Sequence, residues 1–410
     1  MTVQWLKGSI IYHILVDRFS TGDRKRDLAL SSMTSTTWMG GSLKGVLRRI
    51  DYLKNLGVNV IWLSPLYTSL EYHGYSVIDL FNIDEHFGDK DDLKKLVDRL
   101  HENGMKLVLD FVANHCSNEH PFFKQAQTNK NSSYYDWFIF NKWPNEYLCF
   151  LHFKNLPKWN VHNEETKEYI ISAAEYWIKE FDIDGYRLDH AIGLPISFWK
   201  EFKKRVKKIK PNFALIGEVW FEGVRKEHLE TLWFLEDSKL DVQTVKQLMN
   251  QKKVLELNDL AMKNFVSVFD GCLDFTFNGL MRKLLERRID WEMFHNNLLK
   301  HYKKFPKDFY LFTFLDNHDM DRFFFLCNND ENVMKIFSSF QFFIPQPPII
   351  YYGNEVGLSQ SSLINFHKPF GDIEARRFML WTNQNSKLLE HYKTLCSIRK
   401  AFYSPMKNYK

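Results

Sequence analysis

The chain has 410 residues, 45% hydrophobic and 26% charged, with 55 Lys+Arg against 50 Asp+Glu. That length suits one large domain with insertions, and so small a cationic surplus leaves no electrostatic footprint for nucleic acid. With a mean hydropathy of −0.37 and no uninterrupted apolar run of about 18 residues, a helical membrane span is excluded as well.

Residues 1–14 lack the basic start, apolar middle and small-residue cleavage site of a secretory leader, so a cytoplasmic protein is expected. Beyond them, β-branched apolar runs bounded by turn residues alternate with segments of helical periodicity. Strands are predicted at 9–18, 58–64, 106–111, 185–189, 213–219, 273–277, 310–315 and 348–352, and helices at 42–56, 90–103, 165–181, 196–209 and 387–401. Apolar cores such as V-N-V-I-W-L read as parallel strands buried on both faces. Eight such units closing on themselves make an α/β fold, a (β/α)8 TIM barrel, whose active site lies on the loops at the strand C-termini.

Two stretches exceed a minimal barrel. Residues 116–164 are too long for an ordinary βα loop and read as an inserted subdomain, leaving 1–115 and 165–410 as the barrel. Residues 221–264 have helical pattern and read as an extra helical insertion within it. In the basic stretch 202–210, Trp199, Phe202, Val206 and Ile209 make an apolar stripe, which puts Lys203, Lys204, Lys207 and Lys208 on a solvated helix face rather than in a binding patch. The five cysteines, Cys116, Cys149, Cys272, Cys327 and Cys396, are odd in number and widely spaced, so buried reduced thiols are expected. An aromatic content of 16% suits a large core and also flat, half-polar ligands such as sugars.

Carboxylates at strand ends point into a barrel's mouth, and three stand out: Asp189 closing G-Y-R-L-D, Glu218 in L-I-G-E-V-W and Asp319 in F-L-D-N-H-D. Cleaving a glycosidic bond with retention needs one ionised carboxylate as nucleophile and one protonated carboxyl as acid. Arg187, two residues before Asp189 on the same strand, faces the same way and is expected to keep Asp189 ionised. Glu218 follows an apolar run and precedes Trp220, surroundings that raise a carboxyl pKa and suit an acid/base.

D-F-V-A-N-H (110–115), G-Y-R-L-D-H (185–190), G-E-V-W (217–220) and F-L-D-N-H-D (314–319) resemble, in order and spacing, the four signature segments of the α-amylase family of glycoside hydrolases. Y-H-G-Y (72–75), L-P-K-W-N (156–160) and I-Y-Y-G-N-E-V-G (350–357) extend the resemblance. It implies Asp189 as nucleophile, Glu218 as acid/base and Asp319 as the acid gripping sugar hydroxyls. It further implies that Arg187 orients the nucleophile, that His115 and His318 hydrogen-bond the sugar, and that Tyr75 stacks beneath it with His73 alongside. Arg322 is a further binding candidate whose alternative is a surface salt bridge. Asn114 matches a residue that holds a structural calcium in many relatives. Because a calcium cage needs six to eight hard oxygens and the subdomain offers few carboxylates, no required cofactor is expected, with Asn114 the one residue through which a calcium would be held.

G-E-V-W and L-P-K-W-N resemble the maltogenic amylase, neopullulanase and cyclomaltodextrinase branch in particular. The resemblance implies a retaining hydrolase of α-1,4 bonds in maltodextrins. A glucanotransferase, or a silent carbohydrate-binding barrel, is the alternative. The stretch after the eighth helix is too short for a C-terminal β-sandwich, so a homo-oligomer is expected to cover the barrel's side. Trp233 and Phe234 in the 221–264 insertion either stack an acceptor sugar or pin the insertion to the barrel.

Overall fold

The computed structural model describes residues 3–365 and 370–403. Eight parallel strands form one sheet: β1 (Ile11–Ile14), β2 (Val60–Leu63), β3 (Lys106–Phe111), β4 (Gly185–Leu188), β5 (Ala214–Gly217), β6 (Gly271–Leu273), β7 (Tyr310–Phe312) and β8 (Ile349–Tyr351). They are ordered β7-β6-β5-β4-β3-β2-β1-β8, and the ring closes through a parallel bridge between Thr313 and Pro348. The barrel expected from the βα alternation is therefore the fold that forms. Ile11, Val60, Trp62, Val108, Ala214, Ile216, Leu273, Phe312 and Ile349 fill its interior, while the alternate residues, such as Tyr12, Ile61, Leu109 and Tyr186, pack outward under the helices.

Some predicted boundaries move for local reasons. The run 273–277 is not one strand: Asp274 accepts the Phe277 amide at 2.8 Å and caps a helix, Phe275–Leu285, leaving Gly271–Leu273 extended. Within 9–18, Val16–Arg18 is a 3-10 turn, where the Asp17 carboxylate accepts the amides of Met39 and Gly40. The helix predicted over 42–56 breaks at Arg49 into Leu43–Arg48 and Ile50–Leu56, and the Arg49 guanidinium pairs with buried Asp27 at 2.7 Å.

Residues 116–164 hold a helix, Pro121–Thr128, and two short antiparallel pairings, Phe140–Lys142 with Glu146–Tyr147 and Cys149–Phe150 with Phe153–Pro157. Residues 221–264 hold two 3-10 turns and two helices, Val242–Asn250 and Val254–Phe265. The second helix leads directly to β6 and serves as the crossover from β5. The segment also caps its neighbour, since Asp237 accepts the Ile196 and Ser197 amides at the start of helix Ile196–Ile209, both at 2.7 Å.

Two carboxylates lock the strand starts. Asp184 precedes β4 and accepts the β3 amide of Leu107, and Asp270 precedes β6 and accepts the β5 amide of Leu215. Each is also met by lysine: Lys106 and Lys210 on Asp184, Lys207 on Asp270. Part of the basic stretch thus closes the barrel floor, which corrects the reading of Lys207 as merely solvated. All five cysteines are free and buried, and among the described residues no helix is long and apolar enough to cross a membrane.

Candidate active site

The side chains that point inward on the strands change from apolar to polar at the strand C-termini. Above Ile11, Val60, Val108, Gly185 and Ala214 stand His13, Trp62, Asp110, Arg187 and, one residue past β5, Glu218. Strand parity alone gathers them into one mouth. Register then pairs them: Arg187 lies opposite Asp110 across the β3–β4 ladder.

Arg187, 1% exposed, is the hub. Its Nη1 donates to Asp110 Oδ1 at 2.7 Å and to Asp189 Oδ1 at 2.8 Å, and its Nη2 pairs with Glu218 Oε1. The His190 amide donates to the other Glu218 oxygen at 2.9 Å. Asp110 also accepts from the Tyr75 hydroxyl at 2.8 Å and from Trp62 Nε1 at 3.2 Å. Burial pushes Asp110 up to about 6, and burial with the Asp110 charge pushes Asp189 up to about 7, in each case against the pull of Arg187. Burial likewise raises Glu218, again opposed by Arg187. The expectation that Arg187 holds Asp189 ionised is corrected here. One guanidinium is shared by three buried carboxyls, so its pull is divided among them and burial outweighs it at each.

Asp319 is set apart. Burial would raise it, but His318, Arg376 and Arg187 hold it well below the usual carboxylate range. His318 Nε2 lies 3.0 Å from its Oδ2, and Arg376 Nη2 donates to Oδ1 at 2.8 Å while its Nε donates to the His318 carbonyl at 2.9 Å. The Asp319 side chain is 43% exposed, open to a ligand in the cleft. Tyr75 stacks on His318, ring centroids 5.1 Å apart and 5° from parallel. His73 is fixed between Glu71, 2.9 Å from its Nε2, and the Tyr75 amide, which donates to its Nδ1. His115 is buried, pushed down to about 3 by burial and by Lys158, and keeps an unpartnered Nε2 among the described residues. Trp220 is half-buried, its ring 5.9 Å from His190.

Other expectations change. Arg322 is fully buried, donates to the Tyr352 carbonyl at 2.9 Å and lies over the rings of Tyr351 and Tyr352. It braces the loop after β7 and is neither a surface ion pair nor a group facing the cleft. Trp233 and Phe234 are buried, the first against His162 and Lys158 and the second against Phe221 and Phe265, so they pin the insertion. The residues around Asn114 do not fit a calcium ion. Its Oδ1 already accepts from Lys158 Nζ at 2.6 Å, so the oxygen a calcium ion would need is taken by a protein donor. Among the described residues there is also no cluster of three or more His, Cys, Asp or Glu able to hold a metal.

Sequence reasoning passed over Asp110, Arg376, Lys158, His13 and Phe150. Asp110 closes a predicted strand, so the strand-end argument applied to the other acids finds it too. His13 stacks on Trp62 at 3.6 Å between centroids, and Phe150 lies 4.7 Å from His190 and 4.9 Å from His115. Nothing in local sequence marks Arg376, which reaches the mouth from a 3-10 turn, Ile373–Arg376, beyond β8.

The chain matches the family model described as the α-amylase catalytic domain over residues 13–387. It is 36% identical over 401 residues to α-amylase 2 of Dictyoglomus thermophilum, covering 97% of this chain and 64% of that protein. It is 31% identical over 416 residues to the cyclomaltodextrinase of Geobacillus thermopakistaniensis, covering 97% and 63%. This chain therefore spans less than two thirds of the length of these curated relatives. Among solved structures, the cyclic α-maltosyl-(1→6)-maltose hydrolase of Arthrobacter globiformis in complex with cyclic α-maltosyl-(1→6)-maltose aligns with a TM-score of 0.79 at 25% identity, covering 98% of this chain and 84% of that one. With an eight-stranded barrel, Asp189 and Glu218 just past β4 and β5, Asp319 on the loop after β7 and a family model matched across nearly the whole chain, the chain belongs to the α-amylase family.

Proposed function

We propose that the chain is a retaining glycoside hydrolase that cleaves α-1,4-glucosidic bonds of maltodextrins and similar α-glucans through a covalent glycosyl-aspartate. The observation that carries this is the sharing of Arg187 by Asp189 and Glu218, which brings two buried acids to one cation at the barrel mouth. In the first step Glu218 gives its proton to the leaving glycosidic oxygen while an Asp189 oxygen bonds to the anomeric carbon. In the second, Glu218 takes a proton from water, whose oxygen displaces Asp189 from that carbon. Asp319, kept ionised by His318 and Arg376, grips hydroxyls of the same sugar ring. Relatives named for maltodextrin-type substrates support the substrate class. Five buried free thiols suit a reducing compartment and support a cytoplasmic location.

The test incubates the protein and Asp189→Asn separately with maltoheptaose, cyclomaltodextrin, pullulan and starch, and separates the products. Glucose and maltose from the wild type alone, first released in the α-configuration, are expected. Products longer than the starting sugar would replace hydrolysis by glycosyl transfer, and first-formed β-products would overturn retention.

A further inference from the structure

We propose that Lys158 is a positioning residue for Glu218: its amine ties Asn114 and Gly193 together and thereby fixes the turn whose His190 amide holds the Glu218 carboxyl. The role rests on reading Glu218 as the acid/base.

Lys158 is 1% exposed, yet its amine makes no ion pair with a carboxylate among the described residues. Burial holds the Lys158 amine well below the ordinary lysine pKa, and its buried N–H groups need acceptors that stand in for water. Its Nζ donates to Asn114 Oδ1 at 2.6 Å and to the Gly193 carbonyl, and lies 4.1 Å from the centroid of the Trp233 ring. These partners come from three segments, the exit of β3, the turn after β4 and the insertion after β5, and Lys158 itself ends the subdomain 116–164. The lysine is thus a hydrogen-bonding clamp that joins four loops at one point.

The turn it grips is the one beneath the reacting groups. His190 has φ +41°, a left-handed conformation that a non-glycine residue keeps only when its surroundings impose it. The Gly193 amide donates to the His190 carbonyl at 2.9 Å, and the Ala191 amide to the Glu218 carbonyl at 3.0 Å. A Cβ at Gly193 would collide with Asn114 Oδ1 and the His190 ring, so the turn fits against Asn114 only as glycine. From this turn the His190 amide reaches Glu218 Oε2 at 2.9 Å. That bond favours the ionised carboxyl, and it exists only while the turn keeps its shape.

The test measures kcat/KM against pH on maltoheptaose for the wild type, Lys158→Met, Lys158→Arg and Asn114→Ala. Releasing the turn removes a hydrogen bond to the Glu218 carboxylate, so its pKa rises. The basic limb of the profile moves to higher pH in Lys158→Met and in Asn114→Ala, while kcat falls about tenfold and KM changes little. Lys158→Arg, which keeps N–H donors for Asn114 and Gly193, returns the limb toward the wild-type position. Excess calcium or chelator leaves the wild-type profile where it is. Folded variants with an unmoved basic limb would overturn the proposal, as would a wild-type limb that shifts on chelation. If Lys158→Met does not fold, Asn114→Ala decides. Carbon-13 NMR of the Glu218 carboxyl follows the same titration without substrate, so a chain inactive on every α-glucan would sink the hydrolase reading while the clamp is still judged.

Discussion

The three carboxyls around Arg187 are coupled through a single positive charge, so removing one changes the others. Asp110 is the member that reaches no substrate position. It orients Tyr75 and lends negative charge that keeps Asp189 protonated to a higher pH. Asp110→Asn is expected to lower the Asp189 pKa, moving the acidic limb of kcat/KM toward lower pH, with about a tenfold loss of kcat from the loosened Tyr75. A pH–rate profile checks both, and an acidic limb that stays put would show that Asp110 acts through geometry alone. Asp189 and Glu218 were legible in the sequence because a carboxylate closing an apolar strand has one place to go in a barrel, whereas Asp319, read the same way, lies in a turn seven residues past β7. The sorting of their protonation was not. It depends on burial and on how many acids share the arginine, and both are set by neighbouring strands far away in sequence. Arg376 was hidden for a related reason, since a turn carries no periodicity that says where its side chains point.

At the scale of elements, a buried imidazolium staples three helices together. His301, on helix Trp291–Tyr302, lies 2.7 Å from Asp259 on helix Val254–Phe265 and 3.0 Å from Asp274, the cap of helix Phe275–Leu285. Lys304 adds a second cation to Asp259. Although burial opposes it, the two carboxylates push His301 up to about 9. Because the folded value lies above the ordinary imidazole value of about 6.5, the stabilisation is complete below that pH and is lost as pH rises through about 9. His301→Leu is expected to cost about 3 kcal/mol at neutral pH by leaving the buried Asp274 carboxylate without a cation, and the gap to wild type should close in alkaline urea melts. A gap independent of pH would assign the loss to packing instead. The helices that meet here were only partly legible. Asp274 begins one of them inside what reads as a strand, because F-T-F is as good a strand by composition as it is a first helical turn, and only the cap decides.

For the whole molecule, the order of the ring was readable from eight apolar runs, while the quality of each joint was not. Seven joints are ladders of paired strands; the eighth, between β7 and β8, is held at Thr313 and Pro348. Proline 347 and proline 348 bring no N–H to it. Two backbone bonds cross there, Thr313 N to the Pro347 carbonyl at 2.9 Å and Ile349 N to the Thr313 carbonyl at 2.7 Å. Gln341 stitches the same place from a helix, its amide donating to the Thr313 and Ile349 carbonyls, both at 2.9 Å. Amide exchange should accordingly be faster at Thr313 and Ile349 than at Asp189 and Glu218, whose amides bond to Phe111 and Leu188 on the opposite wall. Equal protection on both sides would refute a weak joint. The consequence is a division of labour in time. The weaker joint adjoins the loop that carries Asp319, and the continuous ladders carry Asp189 and Glu218. On the proposed mechanism, a spent sugar is expected to be let go by a brief slackening on one side, with the cutting edge still set when the next chain arrives.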